Sequence, residues 1–274
     1  MIISDEYRFA FIHIPKCAGT SIRGALEPFD SREGSFTGRV GHHANLGELD
    51  YVHIPLFTLR DHFEREFEAV QRYWSFAVVR DPLSRFASSV SQNLRMYSDK
   101  RIQDRSVNEV KSSIHNAIDY LTQLEQDSCL LPPKFIHFQK QIDYIQIDGV
   151  RIIDSLYAVT QTEELMADVT RKIGKNLSMN LSKNNSKIAN RTVVYRNDLL
   201  RTVIDTSRPV LDRFRKILPE NVKQEIRDRV YVPRDKRLKI LFEDSRVQDF
   251  IKKYYADDIA LYRSLIDTPR VENA

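Results

Sequence analysis

The sequence predicts an α/β protein with a central, mainly parallel sheet flanked by helices, and three observations support this. Residues 9–14 and 75–80 are short apolar runs, rich in aromatic and β-branched residues, and a turn and a helical pattern follow each at once. A third run, residues 155–159, precedes a helical pattern over residues 163–173. Such runs are typical of strands buried on both faces of a parallel sheet.

Length and composition indicate one large globular domain spanning residues 1–274. The chain has 42% hydrophobic and 29% charged residues, with a formal net charge of +4. This mild basicity favours anionic ligands, such as a nucleotide or a polyanionic glycan, and we expect no nucleic-acid partner. No apolar run approaches the roughly 18 residues of a membrane span, and no signal peptide precedes the first strand, so we expect a cytoplasmic protein.

The first half of the chain is expected to alternate core elements with polar loops. After the first strand, Thr20 or Ser21 can cap a helix. Residues 29–45 lack apolar periodicity and predict a long loop, and residues 46–49 predict a helical turn. One polar helix is expected over residues 58–72.

The second half is predicted to be mostly helical. Helices are expected from Pro82 onward and over residues 104–126, and Gly149 marks a turn between short strands. Thr160 or Thr162 is expected to cap the helix at 163–173. Residues 176–192 predict a polar loop, and one amphipathic helix is expected near residues 246–266.

The stretch between the first strand and its helix carries an anion-binding pattern. Lys16 supplies an ammonium group, Thr20 and Ser21 supply hydroxyls, and the helix start supplies N–H groups. A Walker A loop would read GxxxxGK[ST], whereas here Lys16 precedes Gly19 and the first glycine is missing. An ordinary kinase or NTPase is therefore disfavoured.

The order of residues 15–21, PKCAGTS, resembles the 5′-phosphosulfate loop of sulfotransferases that use 3′-phosphoadenosine 5′-phosphosulfate (PAPS). The similarity is to the carbohydrate branch, of the heparan and chondroitin sulfotransferase type. Residues 75–90 resemble the 3′-phosphate segment of the same enzymes, with Arg80 at the strand end and Ser88 eight positions later. An arginine at a strand end can give forked, charge-assisted hydrogen bonds to a phosphate.

The resemblance implies a three-layer, P-loop-NTPase-like fold, PAPS as donor and 3′-phosphoadenosine 5′-phosphate (PAP) as product. It implies a carbohydrate or glycoconjugate acceptor. Golgi relatives carry an N-terminal membrane anchor. Because this sequence shows no such segment, we expect a soluble, bacterial-type member. The cofactor-binding residues that the resemblance implies are Lys16, Cys17, Ala18, Gly19, Thr20, Ser21, Arg80 and Ser88. Lys183, Lys187 and Arg191 in the later polar loop are candidates for the 3′-phosphate.

Sulfuryl transfer needs a base for the acceptor's proton and positive charge at the leaving phosphate oxygen. The resemblance assigns the charge to Lys16 and the base to a histidine in a short motif that ends in a small helix. Of the seven histidines in the chain, we favour His43, with His42 as the close alternative. His13 is expected in the core. No metal is expected, because no acidic or histidine cluster has convincing ligand spacing.

Other interpretations of these residues remain open. Cys17 lies near a helix start, where a thiol can be activated, but a small residue packed in the loop is the favoured role. With only two cysteines, neither is expected in a disulfide. A nucleotide-dependent kinase on the same frame would require a metal-binding acid, for which Asp81 is the candidate. A non-catalytic module that binds PAPS or glycan is the other alternative.

Overall fold

A computed structural model of the chain describes residues 1–38, 40–97, 106–124, 129–174 and 242–267, together with two short strands at 193–195 and 231–233. The strands are β1 (Ile2–Ser4), β2 (Phe9–Ile12), β3 (Val40–His43), β4 (Gly47–Asp50), β5 (Trp74–Val79), β6 (Gln146–Ile147), β7 (Val150–Arg151), β8 (Ser155–Ala158), β9 (Val193–Tyr195) and β10 (Tyr231–Pro233). The helices are α1 (Gly19–Leu26), α2 (Leu56–His62), α3 (Glu64–Arg72), α4 (Pro82–Met96), α5 (Val107–Thr122), α6 (Thr162–Ile173), α7 (Ser245–Tyr254) and α8 (Ala256–Asp267).

The central sheet has the order β1-β2-β5-β8, and its two inner pairings are parallel. Only β1 runs antiparallel, against β2. Ile12 pairs with Ala77, and Val79 pairs with Ala158. The three parallel strands therefore end at the same edge, where the loops after β2 and β5 begin. The predicted mainly parallel sheet is confirmed.

The sheet is buried by helices because its strands are apolar on both faces. Every residue of β2 is buried, and so is every residue of β5 after Trp74. Helix α3 packs against β1, β2 and β5, whereas α6 and α8 pack against β8. A second apolar cluster joins α4, α5 and α7. None of the described helices is long and apolar enough to cross a membrane.

Residues 29–50 differ most from the sequence prediction. The expected loop and helical turn are replaced in large part by the antiparallel hairpin β3–β4, with His43 paired to Gly47. Gly47 has a φ of +69°, which ends a three-residue hairpin loop and is incompatible with a helical turn. His42 and His43 therefore lie on a strand and not in a loop.

Two predicted helices are each divided in two. The helix expected over 58–72 breaks at Phe63, whose φ of −138° is not helical and whose ring packs against Phe36 and Tyr51. The helix expected near 246–266 breaks at Tyr255, which is buried and donates its hydroxyl to the Phe138 carbonyl at 2.7 Å. In both places an aromatic residue leaves the helical path to pack against the core, partly buried at Phe63 and fully buried at Tyr255.

The helix starts also differ in their caps. Neither Thr20 nor Ser21 caps α1, which begins at Gly19 after Ala18 in a left-handed conformation. Neither Thr160 nor Thr162 caps α6, whose start has no side-chain cap; the Gln161 side chain accepts from the Ala158 N–H at 2.9 Å in the 3-10 turn that precedes this helix. The predicted start of α4 at Pro82 is confirmed, and Asp81 caps it. The predicted turn at Gly149 joins β6 and β7.

Candidate functional site

The two segments predicted to bind phosphate meet at the carboxyl edge of the sheet. Arg80 follows β5 and donates from Nη1 to the Lys16 carbonyl at 3.4 Å. Lys16 lies in the loop after β2, and its ammonium donates to the Gln92 side chain on α4 at 3.4 Å. The Arg80 guanidinium thus contacts the loop that carries the Lys16 ammonium, so two cationic side chains lie at the same edge of the sheet, where each can bind an anionic group.

The loop between β2 and α1 has an unusual backbone. Lys16 and Ala18 have φ values of 66° and 60°, in the left-handed region that residues with a Cβ seldom adopt. Conformations of this kind cost about 1–3 kcal/mol each and cluster at functional sites. The Ser21 N–H donates to the Ala18 carbonyl at 3.2 Å, so this group is used inside the turn. The Gly19 and Thr20 N–H groups lie at the helix start, where they have no intrahelical partner.

Cys17 stands between the two left-handed residues and points into the protein. It is 1% exposed, and its thiol donates to Gln141 Oε1 at 3.2 Å. Burial raises the pKa of this thiol to about 12. It is therefore a packing residue, as the sequence favours, and is not a nucleophile at neutral pH. Cys129 is also a free thiol.

Gly19 is required by a close contact below the helix start. A Cβ at this position would lie 2.0 Å from Cδ2 of the His13 ring. His13 is itself 5% exposed, in accordance with its expected place in the core, so the ring has little room to move. The first residue of α1 therefore rests directly on an imidazole.

The residues predicted to bind the 3′-phosphate lie directly after β5 and in α4. Arg80 is half-buried after β5, and Ser88 is buried in α4, 4% exposed. Asp81, the candidate metal ligand of the kinase alternative, accepts from the Ser84 N–H at 2.8 Å and caps α4. The loop residues Lys183, Lys187 and Arg191 lie outside the described residues.

Three histidines from separate segments form a buried group beneath the loop. The His13 and His53 rings are 4.6 Å apart, and the His53 and His137 rings are 5.5 Å apart, measured between centroids. His53 Nδ1 lies 3.0 Å from the His13 carbonyl, which can only accept, so Nδ1 carries the proton and Nε2 keeps its lone pair. Burial lowers the pKa values of His13 and His53 well below 6.5, which keeps both rings neutral.

His42 and His43 occupy a different environment. The His42 side chain is 75% exposed and lies 4.0 Å from Glu48, its cross-strand neighbour. The His43 ring contacts His62 and Phe63. Among the described contacts, none joins either histidine to Lys16 or Arg80. The fold thus brings the Lys16 loop and Arg80 together, whereas His42 lies by Glu48 and His43 contacts His62 and Phe63.

His53 is the candidate that sequence reasoning missed, although a signal for it is present. It is followed by Ile54, Pro55 and then α2, which is the pattern of a histidine before a short helix that we expected at His43. Pro55 is the residue that precedes the first turn of α2.

The spacing of acidic and histidine residues predicts no metal site, yet the fold gathers three possible ligands. Donor atoms of Asp50, His53 and His137 lie within 4.8 Å of one another, and all three side chains are buried. They come from the end of β4, the following turn and the segment before Gln139. A divalent cation bound there would compete for the lone pair of His53.

The profile of a protein family described as "Sulfotransferase family" matches residues 1–263. The chain therefore belongs to the sulfotransferase family, whose members are transferases of sulfuryl groups and generally use PAPS as donor. The match supports sulfuryl transfer in general. It is to the family as a whole and does not single out a carbohydrate branch. Comparison with curated proteins and with solved structures gives no match.

We expect Gly19→Ala to destabilise the protein by about 1–3 kcal/mol, because the added methyl group overlaps the buried His13 ring. Gly24→Ala, in the same helix, is the matched control, since its Cβ would meet nothing within 4 Å. It should be stabilising by about 0.5–1 kcal/mol through helix propensity. Urea unfolding measures both variants, and equal effects would contradict the close contact.

The buried histidines predict a loss of stability in acid. Below pH 6.5 the unfolded chain protonates His13 and His53, whereas the folded state keeps them neutral, so their stabilising effect is present above pH 6.5 and is lost as the pH falls. The free energy of unfolding should fall by about 1.4 kcal/mol per pH unit for each histidine. Urea titrations at pH 7.5 and 5.5 test this.

The variants His13→Gln and His53→Gln should each remove about half of this dependence, at a cost in stability at pH 7.5. His42→Gln is the control at an exposed position, and it should leave the free energy of unfolding at pH 7.5 nearly unchanged, because that side chain is 75% exposed. A pH dependence that survives both buried substitutions would contradict the assignment.

Proposed function

We propose that the chain transfers the sulfuryl group of PAPS to a hydroxyl of a carbohydrate or glycoconjugate. The observation that carries this proposal is the contact of Arg80 with the Lys16 loop at the carboxyl edge of the sheet. Family membership supports the reaction class. The carbohydrate acceptor rests on the similarity of residues 15–21 to that branch. The site would lie in a single domain, residues 1–274, with the three-layer, P-loop-like arrangement.

The nucleotide would lie across the ends of β2 and β5. The 5′-phosphosulfate would bind at residues 16–21, where the Gly19 and Thr20 N–H groups and the Thr20 and Ser21 hydroxyls are available, both side chains being exposed. Cys17 and Ala18 would contribute shape more than hydrogen bonds. Arg80 and Ser88 would hold the 3′-phosphate, which distinguishes PAPS from ATP and ADP.

The reaction would be an in-line displacement at sulfur. The acceptor oxygen forms a bond to sulfur while the bond from sulfur to the bridging phosphate oxygen breaks, and the acceptor proton passes to a base. PAP leaves with the electron pair of the broken bond. The Lys16 ammonium would stabilise the charge that develops on this oxygen, in an environment where burial strengthens the interaction.

We propose His53 as the base in preference to His43 or His42. Its Nε2 carries the lone pair, its Nδ1 proton is fixed by the His13 carbonyl, and the imidazole is neutral at pH 7. It also belongs to the histidine group that supports Gly19, whereas the hairpin histidines contact other parts of the chain. His43 stays the alternative drawn from the sequence.

The two rival functions find less support. A kinase needs a metal-binding acid near the phosphates, and Asp81 is used to cap α4. A non-catalytic PAPS-binding or glycan-binding module would not need a neutral histidine beside the lysine loop. The family match favours the enzyme over both.

The Arg80→Ala variant tests the nucleotide site. Wild-type protein should bind PAP more tightly than ADP, and the variant should lose about tenfold to a hundredfold more affinity for PAP than for ADP. Only PAP carries the 3′-phosphate, whereas loss of the hydrogen bond to the Lys16 carbonyl affects both nucleotides. Calorimetric titration measures these affinities.

A matched control for this experiment is Arg171→Ala. The Arg171 side chain is 78% exposed on α6 and lies by Trp74 and Ser155, at the opposite edge of the sheet. The control removes the same charge far from the site and should bind PAP as wild type does. Equal binding of PAP and ADP by the wild type would contradict the proposed function.

Turnover distinguishes the candidate bases. His53→Ala should lower kcat by about 10²- to 10⁴-fold, the usual contribution of a general base, while His43→Ala should leave kcat nearly unchanged. The assay is PAP release from PAPS with an acceptor found in a panel of oligosaccharides, and thermal unfolding checks that each variant folds. A large loss in His43→Ala alone would assign the base to the hairpin.

Metal removal should leave activity intact, because the mechanism requires only side chains and backbone N–H groups. We expect the same kcat in excess EDTA, whereas added Zn²⁺ should inhibit if it occupies Asp50, His53 and His137. Activity lost in EDTA and restored by Mg²⁺ would instead favour the kinase alternative.

A further inference from the structure

Gln141 occupies an unusual position at the edge of the sheet. Its side chain is fully buried and forms a reciprocal pair with the backbone of Arg80. Oε1 accepts from the Arg80 N–H at 2.9 Å, and Nε2 donates to the Arg80 carbonyl at 2.9 Å. The amide side chain thus satisfies both backbone groups of the first residue after β5, as a neighbouring strand would.

The same side chain also contacts the loop after β2. Oε1 of Gln141 accepts a second hydrogen bond, from the thiol of Cys17 at 3.2 Å. Cys17 is the residue between the two left-handed positions Lys16 and Ala18. One amide oxygen therefore joins the backbone that presents Arg80 to the loop that presents Lys16.

The backbone of Gln141 is itself fixed by a buried ion pair. The N–H groups of Gln141 and Ile142 each donate to the Asp258 carboxylate at 2.9 Å. Asp258 lies on α8 and pairs with Arg85 of α4 at 3.6 Å, with both side chains no more than 1% exposed. Breaking such a buried pair would leave an uncompensated charge, so the anchor of Gln141 is rigid.

We infer that Gln141 is a positioning residue that holds the two nucleotide-binding loops in register. The inference rests on the proposed function, since it is the nucleotide that needs both loops at once. Gln141 does not touch the reacting atoms in this account. It sets the distance between Arg80 and Lys16, which determines whether one ligand can bind both.

Gln139 provides a control that is nearly identical in chemistry and burial. It is 3% exposed, and its amide bonds to the Leu131 N–H at 3.0 Å, the Cys129 carbonyl at 3.0 Å and the Asp143 carboxylate. All of its partners lie within residues 129–143. Loss of Gln139 should therefore affect stability without separating the nucleotide-binding loops.

The experiment compares Gln141→Met with Gln139→Met in three measurements. The first is the rate of Cys17 alkylation by iodoacetamide, followed by mass spectrometry, and it needs no nucleotide. We expect Gln141→Met to raise this rate at least tenfold, because it removes one of the two acceptors of the thiol, the other being the Pro15 carbonyl at 3.5 Å, and so loosens the loop that buries Cys17. Gln139→Met should leave the rate unchanged.

The second measurement is the affinity for PAP, and the third is the steady-state kinetics with PAPS. Gln141→Met should weaken PAP binding about tenfold and raise the KM for PAPS, with kcat within about twofold of wild type. Gln139→Met should change neither quantity. If Gln141→Met does not fold, hydrogen exchange of the wild type replaces it, and PAP should increase the protection of residues 139–142 together with the two loops.

The outcomes separate this inference from the proposed function. Equal changes in both variants, or no change in Cys17 reactivity in Gln141→Met, would overturn the positioning role. No added protection of residues 139–142 on PAP binding would also overturn it. If wild-type protein does not bind PAP, the proposed function fails, while the alkylation rates still decide whether Gln141 holds the Cys17 loop.

Discussion

The parallel pairing of β2 with β5 determines where the candidate site lies. Parallel strands end at one edge of a sheet, so this pairing alone brings the loop of Lys16 beside Arg80. Sites at the carboxyl ends of parallel strands are the rule in open α/β sheets. A register shift of one residue would turn the side chains of β2 to the opposite face and misplace the loop.

The loop after β2 is held in place by polar contacts inside the core, where polar groups are normally rare. Two residues adopt left-handed backbone conformations, a histidine ring packs against Gly19, and a buried glutamine accepts a hydrogen bond from the Cys17 thiol. Each of these features is unfavourable in isolation, because backbone strain and buried polar groups both cost free energy. The Gln141 amide satisfies the Cys17 thiol, whereas His13 Nδ1 has no hydrogen-bond partner among the described residues. The helix start is therefore fixed by packing together with these hydrogen bonds.

The sequence was sufficient for the elements whose signal is local. The strands at Phe9 and Trp74 are continuous apolar runs because both faces are covered, and α5 has apolar residues at helical spacing with a Ser106–Glu109 capping box at its start. The hairpin β3–β4 gave no such signal, since its strands carry few apolar residues and only Leu49 and Asp50 are buried in them. The breaks at Phe63 and Tyr255 depend on tertiary packing of aromatic rings, which periodicity cannot reveal.

The residues of the candidate site fall into the same two groups, those with a local signal in the sequence and those without one. Lys16, Gly19 and Arg80 could be placed from strand–turn–helix patterns, because their positions follow from a single element each. His53 and Gln141 depend on contacts between distant segments: His53 with His13 and His137, and Gln141 with Cys17, Arg80 and Asp258. No spacing in the sequence encodes these contacts, although the helix that follows His53 was a usable sign.

A crystal structure of the protein with PAP bound would locate both phosphates of the nucleotide. We expect the 5′-phosphate at the Gly19 and Thr20 N–H groups beside Lys16, and the 3′-phosphate at Arg80 and Ser88. A nucleotide bound elsewhere, or one that contacts only one of the two loops, would contradict this expectation.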